Sequence, residues 1–450
     1  MKGMTSKKIF LSFAGCLVFG YMQAQEVAAS SQALTLTLDR ALEIALSENP
    51  TIIVAGQEIE LKKQANREAY AGLFPEASLS GSYSRTLKKQ TMVMDFGGQS
   101  TTIKMGSDNT YNGGLSVSLP LFAPALYKAI SLTKTDVDLA VEKARSSKLD
   151  MINQVTKAYY QVLLAQEGHD VLQKSYNQAE ANLEMVKAGY EQGKVSEYDK
   201  IRADVQVRSV KPALVSAGNG VTLSELQLKV LIGVNADMGI ILEGNLKDYE
   251  MVMFRQELSD NHWNPANNSD LKQLDLNAEL LKKNLKLQQT NFMPMVGLAF
   301  NYAYLSLNND FKFNNYIWSP YSTVAFSLSV PLFKASNFTK LKQTKIQMRQ
   351  LAETRVNVER QLNTLITSYK SSMNAGCEQV LSTKEGVLQA EKGREIAQKR
   401  YEVGKGTILE LNDSEVALTQ AQLAYNQSIF DYLTAKADLD KVLGEGNISE

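Results

Sequence analysis

The chain is poor in the residue types from which most reactive sites are built. Its 450 residues include two Cys and two His, too few for a disulfide framework or a Cys/His zinc site. Net charge is also missing: 48 Lys+Arg face 48 Asp+Glu, without the excess of basic residues that marks a nucleic-acid binder. Nine Pro and 27 Gly are few, which suits long uninterrupted elements. No stretch reaches 18 apolar residues, so no transmembrane helix is expected. His169 stands beside Asp170 and His262 in an irregular stretch, and no nucleophile set, P-loop or metal-ligand spacing surrounds either. No cofactor and no enzymatic activity are expected. What remains is an ordinary apolar content of 44%, enough for a folded chain.

The N-terminus carries Lys2, Lys7 and Lys8 with no acid, then an apolar stretch from Ile9 to Phe19, then Gly20-Tyr21-Met22-Gln23-Ala24. That order describes a secretory signal peptide, residues 1–24, cleaved after Ala24; the apolar stretch is too short to span ~30 Å of hydrocarbon as an anchor. Cys16 follows Phe13-Ala14-Gly15, a loose lipoprotein box, but the apolar run continues past it. Cys16 therefore reads as a residue discarded with the signal, leaving Cys377 alone and no internal disulfide. The exported chain has 45 basic and 48 acidic residues, a formal charge of −3.

Self-similarity organises the rest. Leu115-Ser-Val-Ser-Leu-Pro-Leu-Phe122 recurs as Phe326-Ser-Leu-Ser-Val-Pro-Leu-Phe333, and Tyr190-Glu-Gln-Gly-Lys194 as Tyr401-Glu-Val-Gly-Lys405. Leu228-Lys-Val-Leu-Ile-Gly233 recurs as Leu439-Asp-Lys-Val-Leu-Gly444. Starts at 115, 190 and 228 return at 326, 401 and 439, one shared offset of 211, which implies an internal tandem duplication. The repeats occupy 25–233 and 269–444, separated by a linker at 234–268 that holds Trp263 and Pro265, with a tail at 445–450.

Each repeat reads helix, β-hairpin, long helix, turn, helix. In the first, a helix over Thr51–Gly72 stops before Phe74-Pro75. A hairpin at 77–119 follows, its strands alternating at period two around a loop of roughly 86–113. The second has its hairpin at 295–332. These are four strands of about 9–11 residues with large apolar residues on one face and small polar ones on the other, which fits strands crossing an outer membrane; an antiparallel sheet over a soluble core alternates in the same way. Aromatics gather at the strand ends: Phe74, Tyr111, Phe122, Phe292, Trp318, Tyr321 and Phe333.

Residues 124–190 and 335–401 read as proline-poor helices of roughly 100 Å, followed by helices at 194–232 and 406–443. Leu411, Leu418, Tyr425, Tyr432 and Leu439 recur every seven residues, a coiled-coil seam. Pro212 is expected to kink the helix at 194–232.

Four strands cannot close a barrel, and open edges are not tolerated in lipid, so membrane strands here require oligomerisation. Two protomers give a filled eight-stranded barrel and three give twelve strands with a lumen. The alternative is a periplasmic coiled-coil scaffold with a soluble sheet.

In its duplicated order, its paired strand ends and its Tyr-x-x-Gly turns, essentially the whole exported chain resembles the TolC-like outer-membrane efflux factor family. The resemblance implies an α+β membrane protein: a homotrimeric 12-stranded barrel, four strands per protomer, in outer-membrane lipid, continued by a periplasmic α-helical coiled-coil barrel with an equatorial α/β belt at the 234–268 segment. It implies as partners a periplasmic adaptor (membrane fusion) protein and an inner-membrane transporter, with no nucleic acid.

Glu410 and Asp413 lie three apart, just after the second turn, on one helix face. They match the family's paired gate aspartates, Glu replacing the first; acids in a first helical turn also simply complement its dipole. Tyr401 and Asp199 match the link that holds the family's hairpins closed, or are two unconnected residues. The family's Arg just after the second turn is replaced by Gly406, with Lys405 beside it. Gly193, Lys194 and Val195, and Gly404, Lys405 and Gly406, match the tips that meet the adaptor, although glycine also serves a tight helix reversal.

Overall fold

The computed structural model describes residues 34–97, 99–250, 253 and 267–445. The expected signal peptide, Cys16, His262, Trp263, Pro265 and residues 446–450 lie outside the described residues.

Four helices dominate: α3 (Pro124–Glu191), α4 (Glu197–Ile232), α6 (Ala335–Glu402) and α7 (Ile408–Leu443), of 68, 36, 68 and 36 residues. They form two hairpins, α3 with α4 and α6 with α7. Pro212 does not interrupt α4, which is assigned as one helix. The proline and Arg208, whose carbonyl loses its bond, are both exposed, so water can satisfy that group.

Shorter helices complete the upper half of each long one. The helix expected at Thr51–Gly72 is α2 (Pro50–Ala71), preceded by one the sequence reading did not foresee, α1 (Leu38–Glu48); α5 (Ser269–Gln289) is the counterpart of α2. Asn49 Oδ1 accepts from the Thr51 amide at 2.8 Å, capping α2, while its Nδ2 donates to Leu231 O, also at 2.8 Å, at the end of α4. Asn268 does the same for α5 and α7, through the Leu271 amide and Val442 O. Each asparagine therefore splices two helices end to end. Gly233 (φ +77°) and Gly444 (φ +74°) turn the chain out of α4 and α7 at these joints.

The described part of 234–268, expected as a linker or equatorial belt, belongs to the core as a belt and not as a free linker. β6 (Ile240–Leu242) pairs in parallel with β1 (Leu34–Leu36), and buried Leu36, Leu228, Ile232, Leu246, Ile429 and Tyr432 pack together midway along the helices. Tyr159 donates its hydroxyl between Leu36 O (3.1 Å) and Glu243 O (2.6 Å), pinning both strand ends to α3.

At the other end of the long helices lies a four-stranded antiparallel sheet in the order β2-β5-β7-β8, from β2 (Glu76–Arg85), β5 (Asn109–Phe122), β7 (Met295–Asn308) and β8 (Ser319–Ser329). Its hairpins correct the expected bounds. β5 continues through Pro120, which lies beyond the last β2 pair and so needs no donor on that side, whereas β8 stops short of Pro331. The loop expected at 86–113 contains a separate ribbon, β3 (Gln90–Phe96) with β4 (Gln99–Met105).

The register sorts the two faces. One carries the rows Ala77–Val117–Phe300–Val324 and Leu119–Leu298–Phe326; the other carries Ser78–Ser116–Asn301–Thr323 and Ser80–Gly114–Ala303–Tyr321. A Cβ on Gly114 would lie 2.4 Å from Ala303 Cβ, so glycine is required for this close approach on the small-residue face. Aromatic clusters bracket the sheet: Tyr111 contacts Tyr83, Phe313, Tyr316 and Trp318 at one end, and Phe338 contacts Phe292 and Phe333 at the other.

Candidate functional site at the helix tips

Both long hairpins reverse in the same geometry. Gly193 and Gly404 take φ +70° and +71°. The Lys194 and Gly193 amides donate to Gly189 O (2.8 Å) and Tyr190 O (2.9 Å); those of Lys405 and Gly404 donate to Arg400 O and Tyr401 O at the same distances. This paired bonding around a left-handed residue closes a helix C-terminus.

The return helices start on capped ends: Ser196 Oγ accepts from the Asp199 amide and Thr407 Oγ1 from the Glu410 amide, each at 3.2 Å. The caps move the expected starts at 194 and 406 to Glu197 and Ile408. Lys194, Val195, Lys405 and Gly406 thus belong to the turns, with Gly193, Lys194, Gly404 and Lys405 exposed.

The two tips pack side by side. Leu183, Val186, Ala203, Ile408 and Leu411 form a buried cluster, flanked by Val195, Val207, Ala397 and Tyr401. Burial pushes the Tyr401 phenol up, and the charge of Asp199 adds to the shift. The two side chains are neighbours but are not hydrogen-bonded within the chain. Asp199 Oδ2 instead accepts from Ser196 Oγ at 2.7 Å, a partner on its own turn.

Glu410 and Asp413 are both exposed on the first turns of α7. Glu410 Oε2 lies 3.4 Å from an Arg400 guanidinium nitrogen, and a second guanidinium nitrogen donates to Lys405 O at 3.2 Å. Asp413 has no hydrogen bond or ion pair among the described residues. Arg394 pairs with Glu415 at 2.7 Å across the same hairpin. Sequence reasoning missed Arg400. The signal that reveals it is the 211 offset, which sets Arg400 against Gly189.

A second polar knot lies higher, where Glu250 meets the second hairpin. It pairs with Lys384 of α6 and accepts from Tyr425 OH of α7, both at 2.7 Å. Burial alone would raise the Glu250 carboxyl, but these two donors hold it below the usual carboxylate range. No group of three His, Cys, Asp or Glu among the described residues is placed to hold a metal ion.

A sheet with one apolar face, joined to paired helices several times the ordinary length and ending in two matched turns, is the protomer fold of an outer-membrane duct. The chain matches the family described as "Outer membrane efflux protein" over residues 41–234 and 265–445, and it belongs to that family. Members of this family serve as transport ducts of the outer membrane. The chain is 20% identical to "Outer membrane protein TolC" of Vibrio cholerae over 89% of each chain. It is 23% identical to "Toluene efflux pump outer membrane protein TtgC" of Pseudomonas putida, covering 94% of this chain and 87% of that one. Among solved structures, the outer membrane protein VceC of Vibrio cholerae superposes with TM-score 0.69 at 18% identity, over 91% of this chain and 96% of that one. The Campylobacter jejuni CmeC outer membrane channel gives TM-score 0.71 at 16% identity, over 92% and 87%.

Proposed function

We propose that three copies of this chain close a 12-stranded barrel in the outer membrane and continue it as an α-helical tunnel through the periplasm. The assembly is a passive exit duct for a tripartite efflux or type I secretion system. The observation that carries this reading is a four-stranded sheet whose outer strands, β2 and β8, each keep an edge with no partner among the described residues while one face is rich in large apolar side chains. Unpaired backbone groups cost several kcal/mol each in hydrocarbon, so the edges need strands from another copy. Three copies give twelve strands, with the apolar face to lipid and the serine-rich face to a lumen. The aromatic clusters at either end of the strands serve as interfacial girdles.

The repeats at 25–233 and 269–444 are copies of one unit, as the matched lengths of α3/α4 and α6/α7 support. No nucleotide motif occurs in the chain, so energy comes from an inner-membrane transporter, coupled through a periplasmic adaptor seated on the tips at Gly193–Val195 and Gly404–Gly406. Packed together, the tips form the periplasmic gate. Glu410 and Asp413 from three copies ring the axis there, with Tyr401 and Asp199 at the contact between hairpins.

In a planar bilayer, Glu410→Ala/Asp413→Ala is expected to raise single-channel conductance and weaken block by divalent cations. Unchanged conductance and block would return these acids to helix-dipole duty. Recovery of the wild-type chain from soluble periplasm without detergent would sink the duct itself.

A further inference from the structure

The two tips share a backbone but exchange their bulk. At the first, position 189 is glycine, and a Cβ there would lie 2.6 Å from Val195 Cγ2. At the second, the equivalents are Arg400 and Gly406, and a Cβ on residue 406 would lie 3.0 Å from Tyr401 N and 3.1 Å from Arg400 Cβ. Each tip has room for one large side chain across the turn. The first takes it from after the turn and the second from before it. Glycine at 406 is therefore what lets the Arg400 side chain lie over the reversal and bond Lys405 O.

The exchange changes what the acid at the third helical position does. Asp199 folds back onto its own cap, accepting from Ser196 Oγ. Glu410, one methylene longer, points the other way and meets the Arg400 guanidinium. The remaining charged side chains of the second tip are mostly engaged: Lys399 with Glu395, Glu402 with Gln398, and Glu415 with Arg394. Arg400 and Glu410 are 54% and 46% exposed, so their pairing adds little to stability. Its consequence is electrostatic. A guanidinium stays charged at every accessible pH, so Arg400 offsets the Glu410 charge in this arrangement, whereas neither Asp413 nor the Lys405 ammonium has an ion pair among the described residues.

We infer that Arg400 is a specificity-determining residue of the duct, setting the ion preference of the closed tip by cancelling the Glu410 charge. The inference rests on the tip being the constriction of the duct. Screening confines such charges to about 8 Å at physiological ionic strength, so the effect belongs to the tip and not to the serine-lined barrel.

The test is the reversal potential of single channels in a planar bilayer under a KCl gradient. Arg400→Gln, which removes one positive charge from each of three copies, is expected to raise the potassium-to-chloride permeability ratio at least about fivefold, the order set by even a single charge ~4 Å from a permeating ion in water. It is also expected to tighten block by magnesium. Arg400→Lys should restore the wild-type ratio, and so should Arg400→Gln/Glu410→Gln, which removes both charges together. A merely structural role for Arg400 would not be repaired by deleting its partner. An unchanged ratio in Arg400→Gln, or no restoration in the double variant, overturns the inference. Absence of channels from the wild-type chain overturns the duct reading beneath it, an outcome distinct from both.

Discussion

Asn49 and Asn268 each use both ends of one amide, and neither alanine nor aspartate can do both tasks. Both residues are buried, at 5% and 3% exposure. Replacing either with Ala removes a helix cap, worth about 1 kcal/mol. It also orphans a carbonyl at the end of α4 or α7, costing about 1–3 kcal/mol more. Asn→Asp keeps the acceptor and loses the donor. In urea the Ala variants are therefore expected to lose about 2–4 kcal/mol in total, and Asp, which keeps the cap but buries a carboxylate against the orphaned carbonyl oxygen, is expected to be destabilised as well. Equal stability of the Ala variants would show that the splices are incidental. Part of this was legible beforehand: the helix expected from Thr51 begins within a residue of α2, although Asn49 itself was not singled out. The second half was not, because Leu231 lies 182 residues away from Asn49 and no local pattern announces a carbonyl that needs a donor.

At the scale of elements, the helices follow from their composition: the interiors of α3 and α6 lack proline, and α7 carries a heptad seam. What periodicity does not convey is how a helix ends. Asp440 sits in the last turn of α7, where the partial negative charge of the helix end disfavours an acid. Burial raises its carboxyl to about 6 from 3.8, with Glu445 adding to the rise and Lys436 opposing it. An acid whose folded-state pKa exceeds its unfolded value binds more protons when folded. Stability is therefore lost as pH climbs from about 4 through about 6, and the loss is complete above that window. Asp440→Asn is expected to stabilise the protein at pH 7 by about 1–3 kcal/mol and to have little effect at pH 4. A thermal melt at the two pH values checks this; equal effects at both would rule out titration of Asp440 as the cause.

The strands were legible to within a few residues because alternation survives wherever one face is greasy and the other small. The β3–β4 ribbon was not, because Gln90–Met105 sits in a segment whose flanking Ser, Asn and Gly read as loop. The Tyr401–Asp199 contact illustrates a different limit. The sequence brings the two tips together, but Ser196, only three residues from Asp199, offers its hydroxyl at lower entropic cost than a partner on the other hairpin. Glu250 carried no signal at all. Its two partners lie 134 and 175 residues downstream, and only the folded chain brings them together.

At the scale of the whole molecule, the described chain has a mid-length core, a tip cluster and a sheet whose outer edges are incomplete. In the proposed trimer, β2 of one protomer pairs with β8 of the next, antiparallel like every other pair in the sheet. Cysteines placed on facing positions of β2 and β8 are expected to give a covalent trimer on oxidation in outer-membrane fractions, with Cys377 replaced by Ser. A ladder stopping at dimer would contradict threefold closure.

The two open edges carry one more consequence, and it is genetic. In the proposed trimer each protomer supplies both a β2 and a β8 edge, so a ring closes only when every member is sound at both. A copy damaged at one edge can still join through the other and then leave a gap that no neighbour fills. If sound and damaged subunits were made in equal amounts and mixed freely, only about one ring in eight would be intact. Lesions at either edge should therefore be dominant, poisoning a cell that still makes the normal chain, whereas lesions that prevent folding should be recessive.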